Sequence, residues 1–239
     1  MTLQDQRVVL LGGTSGIGLA TAQLAAAQGA TVIVASSNPE SVKRALDALP
    51  ATASGEAVDL TDAAAVKAFF DGLDPFDHLV YTAGESLALI EVASMDLARA
   101  RKAFELRYFG ALGAVSAAAA KIRPGGSVVL TTGAAGDRPS PGWSVAASIC
   151  GAVDSLVRAL AVELAPLRVN AVKPGVVRSP LWSNMPVEDQ ETLYDETSRL
   201  LPVGRVGEVT DIAAAYVYLM NQGYATGTIV TVDGGHVLV

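Results

Sequence analysis

The sequence predicts an α/β protein: one domain over residues 1–239, a doubly wound parallel sheet of seven strands with helices on both faces, forming a three-layer sandwich. Three observations predict it. Short apolar runs bounded by Gly, Pro or Asp alternate with longer helical stretches, the pattern of successive β-α-β units. The runs are apolar throughout instead of alternating, so both sheet faces need cover. No repeat or low-complexity linker interrupts them, and 239 residues with 51% apolar composition can bury one full core.

In chain order, VVLL at 8–11 ends on Gly12, TVIVA at 31–35 begins just past Gly29, and AVDL at 57–60 follows Gly55. HLVY at 78–81 lies between Asp77 and Gly84, SVVLT at 127–131 between Gly126 and Gly133, RVNAV at 168–172 ahead of Pro174, and TIVTV at 228–232 between Gly227 and Asp233. The helices fall at 17–28, 39–49, 62–71, 96–121, 145–164 and 208–222. The irregular stretch 176–206, with Trp182, Met185, Pro186 and Tyr194, is the longest interruption. A long excursion in a compact domain reads as a substrate lid.

Composition narrows the function classes. A charged fraction of 17% lies below the roughly 25% usual for soluble domains, so other subunits are expected to cover some surface. Net charge is -7 and the basic pairs Lys43-Arg44 and Arg101-Lys102 are the longest basic runs, which excludes a nucleic-acid partner. Cys150 is the single cysteine, so neither an intrachain disulfide framework nor a cysteine zinc cluster is available, no metal is expected, and a reducing compartment fits. The start, MTLQDQRVVLLGG, lacks the basic region and long apolar run of a secretory signal. The Ala-rich stretch 108–120 is too short and too poor in large apolar side chains to span a bilayer. A soluble, cytoplasmic protein with no membrane partner is expected.

The first strand-helix junction carries the clearest chemistry. VVLLGGTSGIGLATAQ puts Gly12, Thr14, Ser15, Gly16, Ile17 and Gly18 between a strand and a helix, with a second strand at Thr31. Glycines there let the backbone approach a pyrophosphate, whose charge the free N–H groups of the helix start stabilise. This is a Rossmann-like dinucleotide site. After the second strand a carboxylate would pair with the ribose 2'-hydroxyl of NAD(H) and repel the extra phosphate of NADP(H). Ser36, Ser37 and Asn38 stand there instead, with Lys43 and Arg44 downstream, so NADP(H) is favoured over NAD(H).

With these motifs and those that follow, the chain resembles the short-chain dehydrogenase/reductase family over essentially its whole length. AVDLTD is similar to the family's adenine segment, which implies Asp59 and Leu60 as contacts. LVYTAG is similar to its Asn-Asn-Ala-Gly strand end, with Tyr81 and Thr82 in place of the asparagines and Ala83-Gly84 kept. VNAVKPGVVRSPL carries the Pro174-Gly175 turn, Val177, and Ser179 where a Thr usually meets the nicotinamide carboxamide. The ending GRVGEVTDIAAAYVYLM, with VDGG beyond it, also looks like the family's. The resemblance implies assembly through the helices at 96–121 and 145–164, as a homotetramer or dimer, and small residues at 111–120 and 146–152 suit close contact between copies.

The catalytic positions depart from the pattern. Aligning SVAASICGAV with the family's motif puts Ala146 at the Tyr position and Cys150 at the Lys position; Gly133, beside Thr132, falls at the Ser position and Arg107 at the Asn position. A positioned acid or base contributes roughly 10²- to 10⁴-fold, so its loss cripples carbonyl reduction without forbidding hydride transfer. Arg107 cannot be the acid but can stabilise a developing oxyanion; equally, it can fill space and pair with Glu85 or Glu105. Thr132 offers a hydroxyl near the pocket or satisfies a backbone group. Tyr108 points about 100° from Arg107 and reads as core or interface. Cys150 reads as an inert packing residue, His78 as a surface or capping residue, and His236 lies beside VDGG, near an expected interface. Tyr81, close to the cofactor site, either contributes there or narrows the cleft.

Two functional classes result. One is an NADP(H)-dependent oxidoreductase acting on a small carbonyl or enone with non-standard proton delivery, with Arg107 and Thr132 as its candidate groups. The other is a silent nucleotide sensor or a silent partner in a mixed oligomer with an active relative. A non-redox isomerase or dehydratase ranks last, with Glu85 its only candidate base.

Overall fold

A computed structural model describes residues 2–87 and 89–239. Its strands are β1 (Arg7–Leu11), β2 (Thr31–Ser36), β3 (Ser54–Ala57), β4 (Phe76–Tyr81), β5 (Ile122–Thr131), β6 (Arg168–Pro174), β7 (Val177–Arg178), β8 (Gly207–Glu208) and β9 (Ile229–Val232). Its α-helices are α1 (Gly16–Ala27), α2 (Pro39–Asp47), α3 (Ala63–Gly72), α4 (Leu97–Phe104), α5 (Ala111–Ala118), α6 (Ser144–Glu163), α7 (Val187–Leu200) and α8 (Val209–Asn221). The main sheet has seven strands in the order β3-β2-β1-β4-β5-β6-β9, and β7 and β8 pair separately. Every pairing in the main sheet is parallel.

Strand alternation builds two cores. Val8 and Leu10 of β1 point to the face covered by α1 and α8, where they meet Ala22, Ala25, Ile212 and Tyr216. Val9 and Leu11 point the other way, to Val66 and Phe70 of α3, Val115 of α5 and Val157 of α6. Each fully buried Val or Leu contributes about 2 kcal/mol, so both faces hold the sheet as the uninterrupted apolar runs require. β1 lies between β2 and β4, where the strand order reverses. The crevice at the carboxyl ends of such strands is the ligand position of open α/β sheets.

Among the differences from the sequence expectation, two lie beside the cleft. The third strand ends at Ala57 instead of spanning 57–60, because its register with β2 runs from Ile33↔Ser54 to Ser36↔Ala57; only Val58 N still donates to Ser36 O, at 2.9 Å. The single helix expected at 96–121 is interrupted between α4 and α5 by a π-helical segment, Glu105–Gly110, and ends in a 3₁₀ turn, Ala119–Lys121. A wide turn releases a carbonyl from the regular ladder. Here Tyr81 Oη donates to Leu106 O at 2.6 Å. The segment passes so close to β4 that a Cβ at Gly110 would lie 2.6 Å from Tyr81 Oη.

α6 is long and apolar enough, by length and composition, to cross a membrane. Its Ile149, Val153, Leu156, Val157 and Leu160 pack into the core beside Val128 and Val169.

Candidate active site

The Gly-rich turn is shaped by close backbone approach. A Cβ at Gly12 would lie 2.5 Å from Ala83 N, and one at Gly18 would lie 2.2 Å from Gly12 O. Gly12 also holds φ +86°, which L side chains rarely adopt. Thr82 fixes the turn from β4, its hydroxyl within reach of Leu11 O at 3.3 Å and Gly12 O at 3.2 Å. α1 then starts at Gly16 with Ser15 as N-cap, and no side chain caps it and no acidic residue stands in its first turn. Its first N–H groups and the positive end of its dipole are thus left for an anion. This fits an anionic group such as the pyrophosphate of a dinucleotide.

The adenine end is also consistent with such a ligand. Asp59, just past β3, accepts from Thr61 N at 2.9 Å and Thr61 Oγ1 at 2.7 Å. These bonds hold its carboxyl below the usual range, so it stays an ionised acceptor. Leu60, beside it, is buried. No carboxylate occupies 36–38, but Asn38 is not wholly free: its Oδ1 caps α2 by accepting from Glu40 N and Ser41 N. Its amide N–H₂ and the hydroxyls of Ser36 and Ser37 remain as donors, and Arg44 bonds Ser41 Oγ at 2.8 Å.

At the far end, a Cβ on Gly175 would meet Asp233 Cα at 2.8 Å, so the turn after β6 packs tightly on the C-terminal segment. Val177 is buried. Ser179 and Pro180 lie over the Gly-rich turn, with Pro180 Cδ 3.1 Å from the place of a Gly16 Cβ. The 176–206 stretch contains α7 and closes around Trp182, Tyr194 and Val206. It is tied to the loop after β4 by Leu87 N–Leu181 O at 2.8 Å and by the Ser86–Ser183 hydroxyl pair at 2.6 Å.

The side chains expected to do chemistry are already engaged. Arg107 sits in the π-helical segment, donates to Glu85 O, and places its Nε 3.5 Å from Glu85 Oε2. The pairing with Glu85 is the one formed, and the guanidinium lies where a Gly84 Cβ would project. Thr132 Oγ1 donates to Cys150 O at 3.1 Å. Gly133 faces Cys150, whose Sγ is 3.1 Å from the place of a Gly133 Cβ. Burial pushes the Cys150 thiol up, against the pull of the Thr132 hydroxyl, which fits a packing role. Ala146, half-buried one turn before it, brings no polar group.

Two tyrosines and a histidine fall elsewhere than in the cleft. Tyr81 is 2% exposed and points into the core, so it does not narrow the nucleotide cleft. Burial, with the Glu85 charge, raises its pKa, so the hydroxyl stays a donor. Tyr81→Phe leaves Leu106 O without that donor and is expected to cost about 1–3 kcal/mol in urea unfolding; an unchanged midpoint would assign the π segment to other contacts. Tyr108 packs edge-on to Phe104 and Phe109. His78 is 2% exposed, not a surface residue, and lies at the amino end of the sheet between Ser127 and Gln6.

One charged group escaped the sequence reading. Lys173, on β6 and 6% exposed, bonds Asp137 Oδ2 at 2.5 Å and Asp154 Oδ2 at 2.8 Å. Burial opposes its charge, but the two carboxylates outweigh this and hold the ammonium above its ordinary pKa. The signal was present: a lysine ending the apolar run RVNAVKPG needs carboxylate partners when both sheet faces are covered.

Comparison with known proteins agrees with this frame. Residues 12–236 match the family model described as enoyl-(acyl carrier protein) reductase. The short-chain dehydrogenase/reductase malC of Malbranchea aurantiaca is 32% identical over 253 residues, covering 99% of this chain and 96% of its own. The solved MalC reductase/Diels-Alderase superposes with TM-score 0.92 at 31% identity, covering 99% and 98% of the two chains. A small-chain dehydrogenase in complex with NADPH is 34% identical with TM-score 0.89, covering 99% of this chain and all of its own. A short chain oxidoreductase from Pseudomonas aeruginosa PAO1, described as containing an atypical catalytic center, is 27% identical with TM-score 0.90 over 98% of each chain.

Proposed function

The chain belongs to the short-chain dehydrogenase/reductase family, and from that premise we propose that it is an NADPH-dependent oxidoreductase reducing a small carbonyl or enone without the family's tyrosine-lysine proton relay. The observation that carries the reading is the uncapped start of α1 beneath a turn that only glycines can form. The likeness to an NADPH-bound dehydrogenase and the absence of a carboxylate at 36–38 favour the phosphorylated coenzyme.

Residues 14–18 would hold the pyrophosphate, Asp59 and Leu60 the adenine, Ser36, Ser37 and Asn38 the 2'-phosphate, and Ala83, Gly84, Pro174, Gly175, Val177 and Ser179 the nicotinamide half. When bound, the dinucleotide supplies the hydride. The chain's own contribution is to orient, exclude water and stabilise charge. Ala146, Cys150 and Gly133, at the positions that the resemblance assigns to the family motif's Tyr, Lys and Ser, add no acid, so Arg107 and Thr132 are the groups left to stabilise an oxyanion. The stretch 176–206 serves as the lid. Exposed Leu97, Phe109 and Val162 on α4, the π segment and α6 suit packing against further copies, most simply a homotetramer or dimer.

Calorimetry with NADPH and NADH, and turnover assays over ketones, enones and imines, test the reading. NADPH is expected to bind more tightly, and Arg107→Met to lower turnover by roughly 10²- to 10³-fold. A second reading, a silent nucleotide-binding subunit, is favoured by the engagement of Arg107 with Glu85 and of Thr132 with Cys150 O. Tight NADPH binding without turnover selects it. No affinity for either coenzyme overturns both.

A further inference from the structure

Beneath the altered catalytic positions, one buried ammonium joins three elements. Lys173 rises from β6 to Asp154 of α6 and to Asp137, which follows the short 3₁₀ turn Ala134–Gly136 after β5. The same connection presses on α6 beside the catalytic positions: a Gly136 Cβ would lie 3.0 Å from Cys150 Cβ, and a Gly133 Cβ 3.1 Å from Cys150 Sγ. Asp154, 8% exposed and one turn beyond Cys150, has its Oδ1 buried without a hydrogen-bond partner among the described residues. Its charge therefore depends on Lys173 through Oδ2 alone. Asp137 is the accessible end of the triad, its side chain 48% exposed.

We infer that Lys173 is a positioning residue of the site: by holding Asp137 and Asp154 together it clamps the β5–α6 connection onto α6 and fixes the floor formed by Thr132, Gly133 and Cys150. With Cys150 in the family's lysine position, no side chain there reaches up to order this floor. A clamp from the neighbouring strand performs that task from below. It acts on the shape of the pocket and not on the reacting atoms.

The single cysteine makes the floor directly readable. In Asp137→Ala the clamp loses its loop end while the buried Lys173–Asp154 pair stays intact, so the fold is preserved. Alkylation of Cys150 by iodoacetamide is then expected to speed up about tenfold, with an unchanged melting temperature, as a local opening requires. Asp137→Glu keeps the charge and is expected to restore the slow rate. Fluorescence of added NADPH gives a second readout that rests on the oxidoreductase reading: Asp137→Ala is expected to reduce its enhancement. The thiol rate needs no coenzyme, so failure of nucleotide binding and failure of the clamp are read separately. An alkylation rate in Asp137→Ala equal to that of the unaltered chain, or an Asp137→Glu rate as fast as that of Asp137→Ala, overturns the inference.

Discussion

Gly18→Ala is expected to weaken NADPH binding by about a hundredfold or more, equivalent to about 2.7 kcal/mol. The added Cβ would fall 2.2 Å from Gly12 O and 2.4 Å from Thr82 Oγ1. Neither atom is the end of a flexible chain. Gly12 O belongs to the turn itself, and the Thr82 hydroxyl is the group that steadies that turn from β4. Relief must come from moving the turn or tilting α1, and either turns the free N–H groups away from an incoming phosphate. The control is Gly72→Ala, at the end of α3, where a Cβ meets nothing within 4 Å. It should leave both fold and affinity unchanged. Calorimetric titration of the two variants, with far-UV circular dichroism to confirm that each is folded, gives the comparison. Equal affinities would mean that the Gly-rich turn is a structural corner with no ligand.

The parallel sheet and the nucleotide turn were legible because each depends on local pattern. Fully apolar strands imply helices on both faces, and glycines between a strand and a helix imply a backbone that something must approach. The catalytic half was less legible because its decisive contacts are nonlocal. That Arg107 would choose Glu85 over Glu105 goes with the π-helical turn, which the Tyr81 hydroxyl meets at Leu106 O from a strand 25 residues away. No periodicity in residues 96–121 shows it. Lys173 is a milder case. Its need for partners could be read from the apolar run around it, but Asp137 and Asp154 lie in segments that only the fold brings together. Opening the apolar run 78–81, His78 reads in sequence as a surface or capping residue; in the folded chain it is buried.

That buried histidine should make the protein acid-sensitive over a defined window. Burial, reinforced by the Arg168 charge and only partly offset by Asp77, lowers His78 from 6.5 to about 4. Its neighbours accommodate the neutral ring. In that form Nε2 donates to Gln6 Oε1, at 2.6 Å, and Nδ1 accepts from the Ser127 hydroxyl, at 2.8 Å. The unfolded chain takes up a proton near pH 6.5, whereas the folded chain resists until about pH 4. Between those values the unfolded state binds more protons, so stability rises with pH across the window and is lost as pH falls through it. At about 1.4 kcal/mol per pH unit, the loss attributable to this ring is about 3 kcal/mol. Arg168 cannot move away to accommodate the new charge, because its guanidinium bonds the carbonyls of Leu219, Met220 and Gln222 at the end of α8. Urea unfolding at pH 7, 5 and 4 is therefore expected to show a steeper fall for the unaltered chain than for His78→Gln, which cannot titrate. The variant will start lower at pH 7, since an amide only partly replaces the ring's hydrogen bonds, but the gap should narrow or reverse by pH 4. Parallel curves for the two proteins would show that the acid response arises elsewhere.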